Sequence, residues 1–223
     1  MLKGSAVENA YYRFLGKYLV PVCVSFKLTP NHVTFAGFFL SIMAGIAFAF
    51  STFWGGILTL LTGLLDTLDG ALARELNQSH RFGAFLDSVL DRYTELFMFI
   101  GIWFYFCRQG MANTIINLTL IFIIFGSIMV SYTRARAEGL GQKCVVGLFQ
   151  RGERIIFLGV FGMLNSLFNV SIQTNSDPFI GKDAIIIISL ILLAVGTNLT
   201  ALWRFCHVLN KLRGRKEGSV LES

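Results

Sequence analysis

Six long apolar runs fill most of this chain and constrain its fold more than any other feature. Each has roughly 18 to 25 residues, the length that an α-helix needs to cross the hydrocarbon core of a bilayer. Hydrophobic residues make up 54% of the sequence and charged residues 14%, which is unusual for a soluble domain. The pattern predicts an all-α integral membrane protein with six transmembrane helices. The runs cover approximately residues 33–50, 53–74, 83–107, 112–135, 154–172 and 184–206.

A soluble helical bundle is the alternative reading of the composition. The runs that contain "TIINLTLIFIIFGSIMVSY" and "IIIISLILLAVGTNLTALW" argue against it, because neither has the polar stripe that a water-facing helix needs. No short apolar segment with a cleavage site stands near the start of the chain, so we expect no removable signal peptide.

The segment before the first run, residues 1–28, mixes aromatic and basic side chains. In a helix, Tyr12 and Leu19 would lie on one side, with Arg13 and Lys17 towards the other. This pattern suits an amphipathic helix that lies in the headgroup region. A helix packed on the bundle would show the same pattern, and both readings stay open.

The basic residues predict the orientation of the chain in the membrane. Six spans place both termini on one side, and all of the 19 Lys and Arg except Arg108 and Lys182 lie near that side. The positive-inside rule makes it cytoplasmic. The net charge of +6 then reflects orientation and attraction to anionic membrane lipids, and it needs no nucleic-acid partner.

No repeat, low-complexity tract or linker divides the sequence, so we treat residues 1–223 as one domain. Its predicted parts are the N-terminal interfacial helix, a six-helix bundle over residues 29–207, and a basic cytoplasmic tail over residues 208–223. The four cysteines are scattered without CxxC spacing, which predicts neither a zinc site nor a disulfide framework. They are Cys23, Cys107, Cys144 and Cys206.

Four aspartates interrupt the apolar pattern at the junction of the second and third runs. Asp66 and Asp69 are three residues apart, and Asp87 and Asp91 are four apart, so each pair shares one face of its helix. A short turn around "NQSH" would pair the two helices in antiparallel fashion. All four carboxylates would then converge near the cytoplasmic surface.

Carboxylates at this depth predict a bound cation. One ionised side chain in a membrane costs about 2.5 to 3.5 kcal/mol even on the lenient insertion scale, and neighbouring carboxylates repel one another. Oxygen ligands without His or Cys favour Mg²⁺ or Mn²⁺, and two such ions can hold a diphosphate between them. Gly70, Ala73 and Gly83 would let a ligand approach the helix backbones, although small residues also serve close helix packing.

From Asp66 to Asp91 the sequence reads D-x2-D-G-x2-A-R-x8-G-x3-D-x3-D. This pattern resembles the signature of the CDP-alcohol phosphotransferases, which are membrane enzymes of six helices. The resemblance implies two divalent metal ions on the four aspartates, Asp91 as the general base, a CDP-lipid substrate and a homodimer. The residues that it assigns to the CDP moiety are Asp69, Gly70, Ala73, Arg74 and Gly83.

The stretch "LTPNHVT" before the first run resembles a second, shorter motif of the same family. It implies that Asn31, and with less support Thr34, faces the nucleotide. The stretch is also an ordinary helix start, with Thr29 as the N-cap and Pro30 at the first helical position.

The segments "SYTRARAEGLG" and "RGERI" are similar to the branch of the family that transfers a phosphatidyl or archaetidyl group to inositol phosphate. By that resemblance, the phosphate of the acceptor is held by Ser131, Arg134, Arg154 and Arg204. Guanidinium groups suit this role because they bind phosphate bidentately. Topology alone also places arginines here, and Arg136 with Glu138, or Glu153 with Arg136 or Arg151, would form ion pairs instead.

The predicted reaction is transfer of a phosphatidyl group from a lipid such as CDP-diacylglycerol to inositol 1-phosphate, with release of CMP. Glycerol 3-phosphate and serine are the alternative acceptors. A divalent-cation or proton transporter is the alternative of another class. The sequence argues against it because the outer halves of the spans have almost no ionisable residue.

Overall fold

The structure, a computed structural model, describes residues 6–78, 80–174 and 181–220. All secondary structure in these residues is helical. Three short segments come first: α1 (Ala6–Phe14), a π-helical turn (Leu15–Leu19) and α2 (Val20–Ser25). The long helices that follow are α3 (Pro30–Phe50), α4 (Thr52–Glu75), α5 (Arg81–Arg108), α6 (Thr114–Gly139), α7 (Arg151–Thr174) and α8 (Ala184–Val220).

Each predicted apolar run corresponds to one of the long helices. The last helix differs from its prediction, because α8 continues to Val220 through most of the segment predicted as a basic tail. The predicted turn between α4 and α5 is present, although Ser79 within it lies outside the described residues. Residues 1–5 and 221–223 of the predicted terminal segments lie outside them as well.

The lateral surface of the bundle is that of a membrane protein. Within the part of the chain that the structure describes, five helices are long and apolar enough to cross a bilayer, namely α3, α4, α6 and the greater parts of α7 and α8. Large apolar side chains are exposed on their outer faces, such as Phe39 (62%), Ile121 (60%) and Leu199 (63%). In water such a surface would drive association. Facing lipid tails, it has no such cost. This helical bundle is therefore integral to the membrane.

Local chemistry explains where α3 begins. The Thr29 hydroxyl accepts a hydrogen bond from the His32 backbone N–H (3.4 Å), and His32 Nδ1 accepts one from the Thr29 N–H (3.3 Å). Pro30 occupies the first helical position, where its missing N–H is no loss. The helix start predicted at "TPNH" is confirmed, and it fixes the direction in which Asn31 and Thr34 leave the backbone.

Two groups of buried side chains hold the helices together. The larger joins α3, α5, α6, α7 and α8, and its most buried large members include Phe48, Met98, Phe106, Ile123 and Leu193. The smaller joins α2 to α3 and α4. The second group lies at the end of the bundle where α4 ends and α5 begins, here called the acidic end. It therefore braces α4, the helix that carries Asp66 and Asp69.

Glycines allow the helices to cross closely. A Cβ atom placed on Gly101 of α5 would overlap the Gly45 carbonyl of α3. A Cβ atom on Gly56 of α4 would lie 2.5 Å from the Gly159 carbonyl oxygen of α7. Small residues at such crossings increase the van der Waals contact that holds membrane helices together. These contacts set the positions of α4 and α5 relative to α3 and α7.

At the opposite end of the bundle, Asp183 is a buried acid next to the start of α8. Its Oδ1 accepts hydrogen bonds from Tyr105 Oη (2.8 Å), Asn165 Nδ2 (2.8 Å) and Asn169 Nδ2 (2.7 Å). The group ties α5, α7 and α8 together far from the four aspartates along the helices.

Gly101→Ala should destabilise the bundle by about 1 to 3 kcal/mol, because the added methyl group forces α3 and α5 apart. The measurement is the melting temperature of the purified protein in detergent, which we expect to fall by several degrees. Gly139→Ala is the matched control, since among the described residues no atom beyond its own helix backbone and neighbours lies within 4 Å of the added methyl. An unchanged melting temperature for Gly101→Ala would contradict the close crossing.

Candidate active site

The four predicted aspartates meet at the acidic end of the bundle. Asp66 and Asp69 lie in the last turns of α4, and Asp87 and Asp91 in the first turns of α5. Asp66, Asp87 and Asp91 each offer a carboxylate oxygen, and these oxygens lie within 4.8 Å of one another. All four aspartates line one small cavity of about 20 Å³. It has room for an ion or a water molecule but not for a substrate group.

Asp69 is held slightly apart from the other three aspartates. It is 7% exposed, and its Oδ2 accepts a hydrogen bond from the Thr34 hydroxyl of α3 (2.7 Å). Asp69 also lines a larger cavity next to the first. It therefore stands between the carboxylate cluster and the space where a substrate would fit.

Arg151, the first residue of α7, lies among these carboxylates. Its Nη1 donates to Asp66 Oδ1 in a short contact, and its Nη2 lies 2.8 Å from Asp91 Oδ1. The guanidinium thus joins α4 to α5 from a third helix. The cation that the buried acids require is, in this structure, an arginine.

The cluster nevertheless has the properties of a divalent-metal site. Arg151 and, at 3.6 Å from Asp91, Arg92 bring fewer positive charges than the four aspartates bring negative ones. The donors are carboxylate oxygens, which Mg²⁺ and Mn²⁺ prefer. Three oxygens within 4.8 Å of one another around an ion-sized cavity fit such an ion.

The residues that the aspartate motif and the "LTPNHVT" motif assign to the nucleotide line the second, larger cavity. This cavity of about 260 Å³ lies between α3, α4 and α5. These residues are Asn31, Asp69, Gly70, Ala73, Arg74 and Gly83. A Cβ atom on Gly83 would come within 3.3 Å of Asn31 Oδ1, so glycine keeps this wall open. The cavity shares Thr34, Asp69 and Asp87 with the ion-sized cavity. A ligand here would reach the carboxylate cluster with one end.

The N-terminal segment packs against this cavity. The Arg74 guanidinium carbon lies over the Tyr12 ring, 5.4 Å from the centre of the ring. The Tyr11 and Thr67 hydroxyls are 2.6 Å apart. Burial raises the pKa of the Tyr11 hydroxyl, which keeps it protonated as a hydrogen-bond donor. Leu15 is fully buried. These contacts favour packing on the bundle, one of the two arrangements that the sequence left open.

A groove of about 520 Å³ runs between α5 and α6. Its walls are largely apolar, with polar side chains from Ser88, Arg92, Glu95, Ser127 and Ser131. Among the described residues, the buried Ser127 Oγ and Arg92 Nη1 have no hydrogen-bond partner. Such unsatisfied groups favour occupation by a polar ligand.

Comparison with known proteins identifies the family. Residues 27–209 match the model of the CDP-alcohol phosphatidyltransferases. The chain belongs to this family. The family predicted from the aspartate motif is confirmed, and with it the enzyme class, a CDP-alcohol phosphotransferase. Membership favours the transferase over the transporter.

Relatives of this transferase give a finer comparison. It is 35% identical to the archaetidylinositol phosphate synthase of Methanothermobacter thermautotrophicus over 67% of this chain and 74% of that protein. It is 31% identical to the phosphatidylinositol phosphate synthase of Streptomyces avermitilis over 92% of this chain and 84% of that protein.

Solved structures of the phosphatidylinositol phosphate synthase of Mycobacterium tuberculosis are similar to this transferase. The structure with CDP-DAG bound has a TM-score of 0.73 and 27% sequence identity, and it covers 88% of this chain and 94% of that one. The complex with manganese and citrate also has a TM-score of 0.73 and 27% identity, over 86% of this chain and 87% of that one.

The residues predicted to hold the acceptor phosphate lie on α6, α7 and α8, and their surroundings differ. Ser131 lines the groove between α5 and α6. Arg204 is 3% exposed and donates to the Val130 and Val146 carbonyls (both 2.7 Å). Arg134 is half exposed and pairs with Glu138 (2.8 Å), which replaces the Arg136–Glu138 pair considered from the sequence.

Arg154 forms an ion pair that the sequence analysis missed. It is 3% exposed, its Nη1 donates to the Phe149 carbonyl (2.8 Å), and its Nη2 contacts Glu95 Oε1. Glu95 stands four residues after Asp91 and eight after Asp87, so this spacing was a signal that it faces the same side of α5. Glu95 also lines the groove, which places Arg154 behind its wall.

Replacing Glu95 with Leu should destabilise the transferase by about 3 to 5 kcal/mol, because it leaves the buried Arg154 charge without its partner. Adding Arg154→Met should restore most of the lost stability, as measured by the melting temperature in detergent. The exposed pair is the control: Glu138→Leu should change stability by about 1 kcal/mol or less. Equal losses from both single variants would contradict the role given to the buried pair.

Proposed function

We propose that this transferase moves a phosphatidyl group from a CDP-lipid such as CDP-diacylglycerol to inositol 1-phosphate and releases CMP. The observation that carries the proposal is the meeting of four aspartates beside a cavity lined by the other residues of the motif. The inositol phosphate synthases among its relatives support the choice of acceptor. Glycerol 3-phosphate and serine are the alternative acceptors.

We further propose that Asp66, Asp69, Asp87 and Asp91 hold two divalent ions, Mg²⁺ or Mn²⁺. The spacing of the carboxylate oxygens and the manganese complex of the mycobacterial synthase support this site. When bound, the ions neutralise and polarise the diphosphate. The side of the site towards α3 binds the nucleotide, where Asn31, Gly70, Ala73, Arg74 and Gly83 line the wall.

Asp91 acts as the general base in this proposal. Its carboxylate takes the proton of the acceptor hydroxyl as that oxygen attacks the phosphorus attached to the lipid. The new O–P bond forms while the bond from that phosphorus to the bridging oxygen breaks, and CMP leaves with the electron pair. Asp91 lines the ion-sized cavity, which shares Thr34, Asp69 and Asp87 with the nucleotide cavity, and this position supports the role.

The acceptor enters on the side of α6 to α8. Its phosphate is held by Ser131, Arg134, Arg154 and Arg204. Arginine side chains suit a phosphorylated acceptor better than they suit free serine as the acceptor, because free serine has no phosphate. Two contacts support this placement. Ser131 lines the groove, and Arg154 contacts Glu95, which also lines it. In this role Arg154 also keeps its pair with Glu95, so its loss affects both stability and acceptor binding.

The proposed arrangement in the membrane has six spans, α3 to α8, within a single domain over residues 1–223. Residues 1–28 lie at the interface, residues 29–207 form the bundle, and residues 208–223 extend from it. The active site and both termini face the cytoplasm, as the basic residues near the acidic end support. The enzyme works as a homodimer.

Incubation of the purified enzyme with labelled CDP-diacylglycerol and Mg²⁺ or Mn²⁺ tests the reaction. We expect phosphatidylinositol phosphate and CMP with inositol 1-phosphate, and neither with glycerol 3-phosphate or serine. Asp91→Asn should abolish turnover and still bind CDP-diacylglycerol, since it keeps the shape but loses the base. If product forms only with another acceptor, that compound is the acceptor in place of inositol 1-phosphate. If Asp91→Asn still releases CMP, Asp91 is not the general base.

Tyr12→Ala should raise KM for CDP-diacylglycerol by about two- to fivefold with kcat nearly unchanged, because a cation–π contact of about 0.5 to 1 kcal/mol that positions Arg74 is lost. Tyr12→Phe keeps the ring and serves as the control. The measurement is steady-state kinetics with the CDP-lipid varied. A KM equal to that of the parent enzyme would show that the N-terminal segment does not support the nucleotide cavity.

A further inference from the structure

We propose that Arg151 is an exchangeable counter-cation: it partly neutralises the aspartate cluster in the metal-free enzyme and must leave the cluster when metal binds. The inference rests on the proposed metal site. Arg151 then opposes metal binding, so that loss of this side chain strengthens metal binding. Arg151 is thus a positioning residue that controls when the carboxylates are available.

The geometry points to competition for the same ligands. Arg151 Nη1 contacts Asp66 Oδ1, and its Nη2 lies 2.8 Å from Asp91 Oδ1. Asp66 and Asp91 are two of the three residues whose oxygens lie within 4.8 Å of one another. A guanidinium cannot share a carboxylate oxygen with a divalent ion without bringing like charges together. In the arrangement seen here, one group must move aside for the other.

The attachment of Arg151 is compatible with movement. It belongs to α7, whereas the aspartates belong to α4 and α5, so the guanidinium can leave without disturbing the helices that carry the cluster. Arg151 is the first residue of its helix, after a stretch without regular secondary structure from residue 142 to residue 150. Among the described residues, its buried Nε has no hydrogen-bond partner, so only the two Nη atoms anchor the group.

The exchange has a consequence for the proposed general base. While Arg151 donates to Asp91 Oδ1, that oxygen is not available to a substrate proton. Metal binding and release of Asp91 are therefore coupled through one side chain. Removing Arg151 should also leave the metal-free enzyme with several unpaired carboxylates, which repel one another.

The test is Mn²⁺ binding to the purified, metal-free enzyme, measured by calorimetry or by the electron paramagnetic resonance signal of free Mn²⁺. Arg151→Gln should bind Mn²⁺ about tenfold more tightly than the parent enzyme, within the usual range of coupling between two sites. Its melting temperature should be lower than that of the parent without metal, and Mn²⁺ should raise it more. Arg151→Lys keeps the charge without the two-pronged contact, and it should fall between the two.

Lys211→Gln is the control for loss of one positive charge near the same end of the bundle, since Lys211 is exposed and bonds the Lys143 carbonyl. It should bind Mn²⁺ as the parent does. Equal or weaker binding by Arg151→Gln, or by Arg151→Lys if the first variant does not fold, overturns the exchange and leaves the metal site intact. If the parent enzyme does not bind Mn²⁺, the proposed metal site and the exchange both fail. Loss of binding in Asp87→Asn alone is the result that the metal site predicts.

Discussion

The structure depends on the interaction between four carboxylates and the cations that neutralise them at the end of a membrane bundle. Uncompensated, these acids would keep α4 and α5 apart, because burial and mutual repulsion both oppose their meeting. Arg151 reaches them from α7 and joins Asp66 to Asp91. The hairpin of α4 and α5 and its contact with α7 are thus parts of one electrostatic arrangement, which the small residues at the helix crossings make possible.

Polar groups elsewhere in the bundle follow the same physical rule. Asp183 is fully buried at the opposite end, and three side-chain donors satisfy its Oδ1. Glu95 and Arg154 pair beneath the groove. These groups have fixed neutral or hydrogen-bonded partners, whereas the aspartate cluster has an excess of negative charge. The proposed divalent ions would neutralise that excess.

The positions of the cavities relative to the cluster explain how one small bundle can join two substrates. The nucleotide cavity opens between α3, α4 and α5, and the groove opens between α5 and α6. Helix α5 separates them: Asp87 lines the nucleotide cavity, whereas Ser88 and Arg92 line the groove. In the proposed reaction, the acceptor hydroxyl would reach the lipid-linked phosphorus of the CDP-lipid from the side opposite the CMP leaving group, as an in-line displacement requires.

The sequence by itself determined the helices, their membrane character and the acidic hairpin, because these depend on apolar run length and on the 3.6-residue repeat. It also carried the motif that identified the family. Only the tertiary structure decided which cation meets the aspartates and which acid holds Arg154. Those partners stand about 60 to 85 residues apart in the chain and meet through helix crossings, which no local pattern of residues specifies.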